Sequence, residues 1–166
     1  MTGAFIRPAT PADLPAMLGY IRELAAWEGR PEAATASVPR LHALLFGPRP
    51  HAEAYMLIDP ASGEPVGYAW IITLTSTFTA DTRLYLEDLY ISSAARGKGL
   101  GRRFMAWLSR LAQSRGCAGV DWSVVEGNTR AIAFYERLGA VRQSGAHRYR
   151  LAGDALDELA AENQSE

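Results

Sequence analysis

A single α/β domain, built on a mixed sheet with helices on both faces, is the fold class this sequence predicts. Three observations predict it. Apolar residues alternate with polar ones in "EAYMLID" and "VGYAWIITLT", two strands joined by the turn "PASGEP". Helical stripes stand before and after them. Later the pattern switches from strand to helix and back again, as it does in α/β folds. A chain of 166 residues that is 48% hydrophobic is long enough for one core and short for two.

The elements follow in order. "AFIRP" predicts a short first strand. "TPADLPAMLGYIRELAAWEG" predicts a helix with Leu14, Met17, Leu18, Ile21, Leu24 and Ala25 on one face, Thr10 or Asp13 as its cap and Gly29 at its end. "SVPRLHALLFG" predicts a second helix capped by Ser37, with Leu41, Leu44 and Leu45 inward and Gly47 as its stop. The hairpin comes next, then a longer strand over residues 83–92. A helix over 101–115, a strand in "GVDWSVV" and a helix over 128–138 stopped by Gly139 follow. Short strands in "AVRQS" and "HRYRL" and a frayed tail, "AAENQSE", complete the expectation.

Charge and composition exclude several functions. With 17 basic and 18 acidic side chains the net charge is −1, so no global field draws the chain to nucleic acid or an anionic membrane. No apolar run reaches the length of a membrane span, and the first ten residues lack the apolar core of a signal peptide. A cytoplasmic protein is expected. The lone cysteine, Cys117, excludes an internal disulfide and reads as a small buried residue rather than a nucleophile. His42 and His51 have no partners at metal-ligand spacing, so no metal is expected.

One stretch departs from this ordinary picture. "AARGKGLGRR" places Gly97, Gly99 and Gly101 at alternate positions, threaded with Arg96, Lys98, Arg102 and Arg103, between a strand and a helix. Glycine-rich turns aim backbone N–H groups into one concavity, and the helix start adds unpaired donors and a positive dipole end. Such a corner binds phosphate. A P-loop is excluded because Lys98 is followed by Gly99, and a dinucleotide fingerprint because Arg102 stands where its third glycine belongs. The residues alone leave a second reading, a glycine turn that merely starts a helix.

Two neighbouring acids, Glu87 and Asp88, interrupt the strand of residues 83–92. Strict alternation sends Leu84, Leu86, Asp88 and Tyr90 to one face and Tyr85, Glu87, Leu89 and Ile91 to the other, so the two acids cannot share a proton. Acids are disfavoured within strands, which points either to a site or to pairing with an arginine. Asn128, Ala131 and Tyr135 recur on one helical face. From the residues alone, Asn128 is a helix cap or a ligand contact, and Tyr135 is a core aromatic or an acid. Trp27, Glu28 and Glu32 cluster at the end of the first long helix, where a cation would meet acid and ring together.

"RGKGLG", after "LEDLYISSAA" and before an amphipathic helix, resembles the coenzyme A pyrophosphate loop of the GNAT superfamily of N-acetyltransferases, of pattern Arg/Gln-x-x-Gly-x-Gly/Ala. "EGNTRAIAFYERLGA" resembles a later segment of that superfamily, and "ELAAWE", "YLEDLYI" and "AIAFYERLGA" resemble its diamine (spermidine/spermine) and thialysine branch. The resemblance implies a GNAT-like mixed, mostly antiparallel sheet, acetyl-CoA as cosubstrate, a small-molecule amine as acceptor and a homodimer. It implies that Tyr135 is the general acid and Glu87 the general base, with Asp88, Trp27 and Glu28 on the amine. It also implies that Leu89, Tyr90, Ile91, Arg96, Gly97, Lys98, Gly99, Leu100, Gly101, Arg102, Asn128, Ala131 and Tyr135 hold the cosubstrate.

The chemistry fits those types. An amine with a reference pKa near 10 spends about 4 to 5 kcal/mol to be neutral at pH 7, so a base is useful, and binding acids should be separate from it. Tyrosine keeps its proton at neutral pH and can give it to a departing thiolate. One departure bears on substrate. Polyamine enzymes have an acid followed by tryptophan before their last strand, where this chain reads "QSGAHRYR", with Gly145, His147, Arg148 and Arg150. A lysine-like amine is therefore favoured over a long polycation. The rival expectations are a non-catalytic acyl-CoA sensor and an acetyltransferase of protein or antibiotic amines.

Overall fold

The computed structural model describes residues 5–145 and 147–162. Ala4 of the first predicted strand and residues 163–166 of the predicted tail lie outside them. The chain divides into two compact units, one ending at Asn128 and the other beginning at Thr129.

The first unit holds a five-stranded sheet in the order β1-β2-β3-β4-β5. Its strands are β1 (Ile6–Pro8), β2 (Glu53–Ile58), β3 (Pro65–Ser76), β4 (Asp81–Ile91) and β5 (Gly119–Trp122). β1 through β4 pair antiparallel, and β4 pairs parallel with β5 across a helical crossover. The sheet is thus mixed and mostly antiparallel. β5 stops short of the predicted Val125.

Helices α1 (Leu14–Trp27) and α2 (Val38–Phe46) cover one face. Their Leu14, Met17, Leu18, Leu41 and Leu45 form one core with Ala54, Met56, Tyr68 and Tyr90 of the sheet. Leu44, predicted inward, is 41% exposed, because at about 100° per residue it lies on the opposite side of Leu41 from Leu45, at the outer edge of the buried stripe. Ser37 stands at the N-cap of α2 with an extended backbone but makes no side-chain cap bond. At α1, Thr10 donates its N–H and its hydroxyl to Asp13 at 2.8 Å each, ahead of a short Pro11–Asp13 turn.

Helix α3 (Leu100–Ser114) covers the other face, burying Leu100, Phe104, Met105, Leu108 and Ala112. Tyr55, which alternates away from Met56, packs its ring edge-on to Trp107 of α3 with centroids 4.7 Å apart. Arg115, just past α3, grips both carboxylate oxygens of Glu53 at 2.6 and 2.7 Å, fastening the crossover to β2.

The second unit holds α4 (Thr129–Glu136) and α5 (Asp154–Glu162). The strands predicted at "AVRQS" and "HRYRL" do not form, since no described residue between 140 and 151 belongs to a strand. α5 replaces the predicted fraying as far as Glu162. Asp154 and Asp157 in its first turn favour a helix start. No helix among the described residues is long and apolar enough to cross a membrane.

Candidate active site

Alternation along β4 fails at one residue. Ile71 of β3 faces Leu86, and the next residue, Trp70, faces Asp88, so Glu87 is the extra residue of a β-bulge. Cross-strand partners share a face, which places Leu84 and Leu86 with Ile71 but Asp88 and Tyr90 with Trp70 and Tyr68. The expectation that Leu84, Leu86, Asp88 and Tyr90 share one face is therefore corrected. The bulge moves the last residues of β4 to the opposite register, bringing Asp88 and Tyr90 to the side covered by α1.

Pairing with β5 ends at Leu86 opposite Trp122, whereas pairing with β3 runs on to Ile91 opposite Gly67. Residues 87–91 thus extend beyond β5. A Cβ on Gly67 would stand 2.1 Å from the Tyr90 carbonyl oxygen, so only glycine lets β3 lie this close to the end of β4.

Around this end the acids gather. Asp88 is half-buried and accepts a 2.8 Å hydrogen bond from the hydroxyl of fully buried Tyr68. Burial raises its carboxyl above the ordinary range against the lowering effect of that bond, and the charges of Glu87 and Glu28 raise it further. Glu87 is exposed. Glu28, at the C-terminal end of α1, is paired with Arg30. Trp27 beside it is 53% exposed. Of the four predicted amine-site residues, Glu87 and Asp88 stand together near the end of β4, the charge of Glu28 reaches Asp88, and Trp27 precedes Glu28 at the end of α1.

Two participants escaped the sequence reading. Tyr68 buries the pair with Asp88, and Glu23 accepts a 2.6 Å hydrogen bond from the Tyr90 hydroxyl. Burial first, and that bond second, push the Tyr90 phenol up to about 12. The available signal is helical spacing, which aligns Tyr20, Glu23 and Trp27 on one face of α1.

After β4 the chain makes a Ser93–Ala95 turn and enters the glycine loop. Gly97 and Gly99 have φ of 80° and 74°, left-handed values that L side chains avoid, and nothing lies within 4 Å of where a Cβ would stand on either. The loop leads into the first turn of α3, whose N–H groups have no helical carbonyl to meet. Leu100 is buried, so it contributes main chain to the corner while its side chain anchors the helix. Gly101 follows it in the same turn, and the Arg102 side chain is exposed. Lys98 lies 3.7 Å from the Asp59 carboxylate. The open glycine surface and the exposed cations beside it fit a diphosphate.

The Arg96 side chain points back along the chain. Its Nε–H donates to the Ile91 carbonyl at 2.9 Å, and its guanidinium carbon lies 5.6 Å from the Trp27 ring centre and 5.5 Å from that of Tyr90. In the second unit, Ala131 and Tyr135 stand one turn apart on α4, immediately after Asn128. Tyr135 is half-buried, and burial raises its phenol above the ordinary value. Among the described residues no three His, Cys, Asp or Glu side chains are grouped to hold a metal.

The acetyltransferase (GNAT) family profile matches residues 20–140. This chain belongs to the GNAT acetyltransferase family. The GNAT chain is 34% identical to a thialysine N-epsilon-acetyltransferase of Sus scrofa over 169 residues, covering 96% of this chain and 99% of that protein. It is 31% identical to the human spermidine/spermine N(1)-acetyltransferase-like protein 1 over 165 residues, which cover 95% of this chain and 24% of that one. Its fold matches a solved integron cassette protein from the mobile metagenome of V. cholerae with a TM-score of 0.76 and 26% identity, over 93% and 96% of the two chains. The protein is an N-acetyltransferase, of a family whose members generally use acetyl-CoA as acyl donor.

Proposed function

We propose that this GNAT enzyme transfers acetyl directly from acetyl-CoA to the primary amine of a small molecule, a lysine-like side chain ahead of a diamine or polyamine. The observation that carries this is the end of β4, where the acid group around Asp88 and the glycine loop occupy one continuous stretch of chain. The thialysine relative and the loss of the acid-tryptophan pair at Gly145 and His147 support the smaller amine.

In this reading the backbone of residues 96–102 and the charges of Lys98 and Arg102 hold the diphosphate, and Asn128 and Ala131 contact the same molecule. Acetyl-CoA supplies an acyl group activated as a thioester. Trp27, Glu28 and Asp88 bind and orient the ammonium. Glu87, exposed beside Asp88 but outside its hydrogen bond, takes the proton, directly or through water. Separating base from binding acid matters, because a carboxylate in contact with an ammonium holds its proton on. Main-chain N–H groups of Leu89, Tyr90 and Ile91 stabilise charge developing on the acyl oxygen. Tyr135, protonated at neutral pH, supplies the proton to the leaving sulfur.

The whole chain works as one domain in this reading, since the family match runs from the first compact unit into the second and the thialysine relative aligns over 96% of the chain. Cytoplasmic placement and a homodimeric state belong to the same proposal, and sedimentation of the purified protein tests the latter. The enzymatic test is a thiol-release assay with acetyl-CoA over a panel of amines. Thiol released faster with lysine-like amines than with spermine supports the reading. Thiol released at the same rate with and without every amine overturns it.

A further inference from the structure

We propose that the Arg96 guanidinium is a positioning group that couples the glycine loop to the amine-facing end of α1. The sequence reading assigns its charge to the diphosphate. In the fold, that side chain bonds to the Ile91 carbonyl and lies near two rings, Trp27 at the end of α1 and Tyr90 in β4. Tyr90 in turn donates to Glu23 and stacks near Tyr20 with centroids 5.7 Å apart, so it is itself fastened to α1. The next residue in the chain is Gly97, the first left-handed position of the loop. One side chain therefore touches the strand end, the α1 end and, through its own backbone, the phosphate corner.

Guanidinium suits this task for physical reasons. Its planar ion lies over aromatic rings while the in-plane Nε–H gives a directed hydrogen bond, and lysine cannot do both from one position. Trp27 is half exposed, with its position set partly by Arg96. Ordering the loop on a diphosphate fixes the Arg96 backbone and through it the ring that faces the amine. By linkage, amine and donor then assist each other's binding. This coupling rests on the proposed function, whereas the mechanical tie does not.

The experiment has two arms. In the free protein, hydrogen exchange is followed over residues 24–30 for wild type, R96A, R96K and W27A. Faster exchange there in both Arg96 variants is expected, with W27A reciprocally loosening residues 90–97. Unchanged exchange over 24–30 in both Arg96 variants overturns the tie. In the second arm, steady-state kinetics are measured beside calorimetric acetyl-CoA affinity. R96A is expected to raise the amine KM about 5- to 30-fold, the scale of a lost cation–π contact, with a smaller change in acetyl-CoA affinity. The R96A/W27A double variant should add little to either single one. A loss of acetyl-CoA affinity equal to or larger than the rise in amine KM overturns the positioning role in favour of a phosphate contact. Wild-type protein that binds acetyl-CoA but acetylates no amine overturns the proposed function, and the exchange arm then decides the tie by itself.

Discussion

The hydroxyl of Tyr68 and the carboxylate of Asp88 meet at 2.8 Å across β3 and β4, one residue beyond the bulge that turns Asp88 toward α1. Tyr68 is fully buried, and the carboxylate it supports is pushed toward its protonated form by burial and by the charges of Glu87 and Glu28. An acid whose folded pKa is raised binds more protons folded than unfolded. Its contribution to stability therefore falls as pH rises from the ordinary carboxylate value through the raised one.

Asp88→Asn is accordingly expected to stabilise the protein at pH 7 by about 1 kcal/mol, the usual gain when strain at a functional site is relieved. The neutral amide keeps an acceptor for Tyr68 and removes the repulsion. Activity should move the other way, with kcat/KM for the amine falling at least about 10-fold as a charged contact is lost. Urea unfolding and amine kinetics on the same preparation check both halves. A variant that is both less stable and fully active contradicts the role.

Tyr135→Phe is expected to lower kcat by about 100-fold or more, the scale of general acid catalysis, with acetyl-CoA affinity little changed. Because burial raises the Tyr135 phenol, wild-type activity that depends on its proton should persist past pH 10, the ordinary tyrosine value. A pH–rate profile with single-turnover measurements reads both. An affinity loss as large as the rate loss would assign Tyr135 to binding.

The sequence displays the hairpin strands, the long strand after them, both long helices and the glycine corner because each rests on local pattern: alternation, helical stripe, or glycines beside cations. What it hides depends on partners. The extra residue at Glu87 is defined only by the pairing of Trp70 and Ile71 with Asp88 and Leu86, so strict alternation carried Asp88 to the wrong face. Tyr68 reads as one more strand aromatic until its partner is known. The segments "AVRQS" and "HRYRL" show the same limit, since strand formation depends on cross-strand partners that an alternating pattern does not name. The signals for α5, acids in its first turn and the spacing of Leu156 and Leu159, are local but weak beside the polar residues that follow them.

Gly99→Ala should separate the loop from the core. A Cβ meets no atom there, but the φ of 74° costs an L residue about 1–2 kcal/mol. Global stability should fall by no more than that, and acetyl-CoA affinity by about 10-fold as the backbone relaxes away from the concavity. Calorimetric titration beside thermal unfolding distinguishes this from a general loss of fold. Unchanged affinity would remove the loop from the binding site.

Asp13 supplies the opposite sign of pH dependence from Asp88. It is almost buried, receives 2.7 Å bonds from both terminal nitrogens of Arg7 and two further bonds from Thr10, and so joins β1 to the start of α1. The Arg7 guanidinium, acting against burial, holds its carboxyl well below the ordinary range. A depressed folded pKa contributes stability that is fully present above the unfolded value near 3.9 and is lost as pH falls below it. Asp13→Asn removes the charge that both Arg7 bonds depend on and should cost about 2 kcal/mol at pH 7, the scale of hydrogen bonds to charged groups. The stability gap between wild type and variant should then shrink as urea titrations are moved from about pH 5 toward pH 2, across the window set by that depression. A gap independent of pH would mean that packing around Asp13, rather than its charge, fastens the first strand to the first helix.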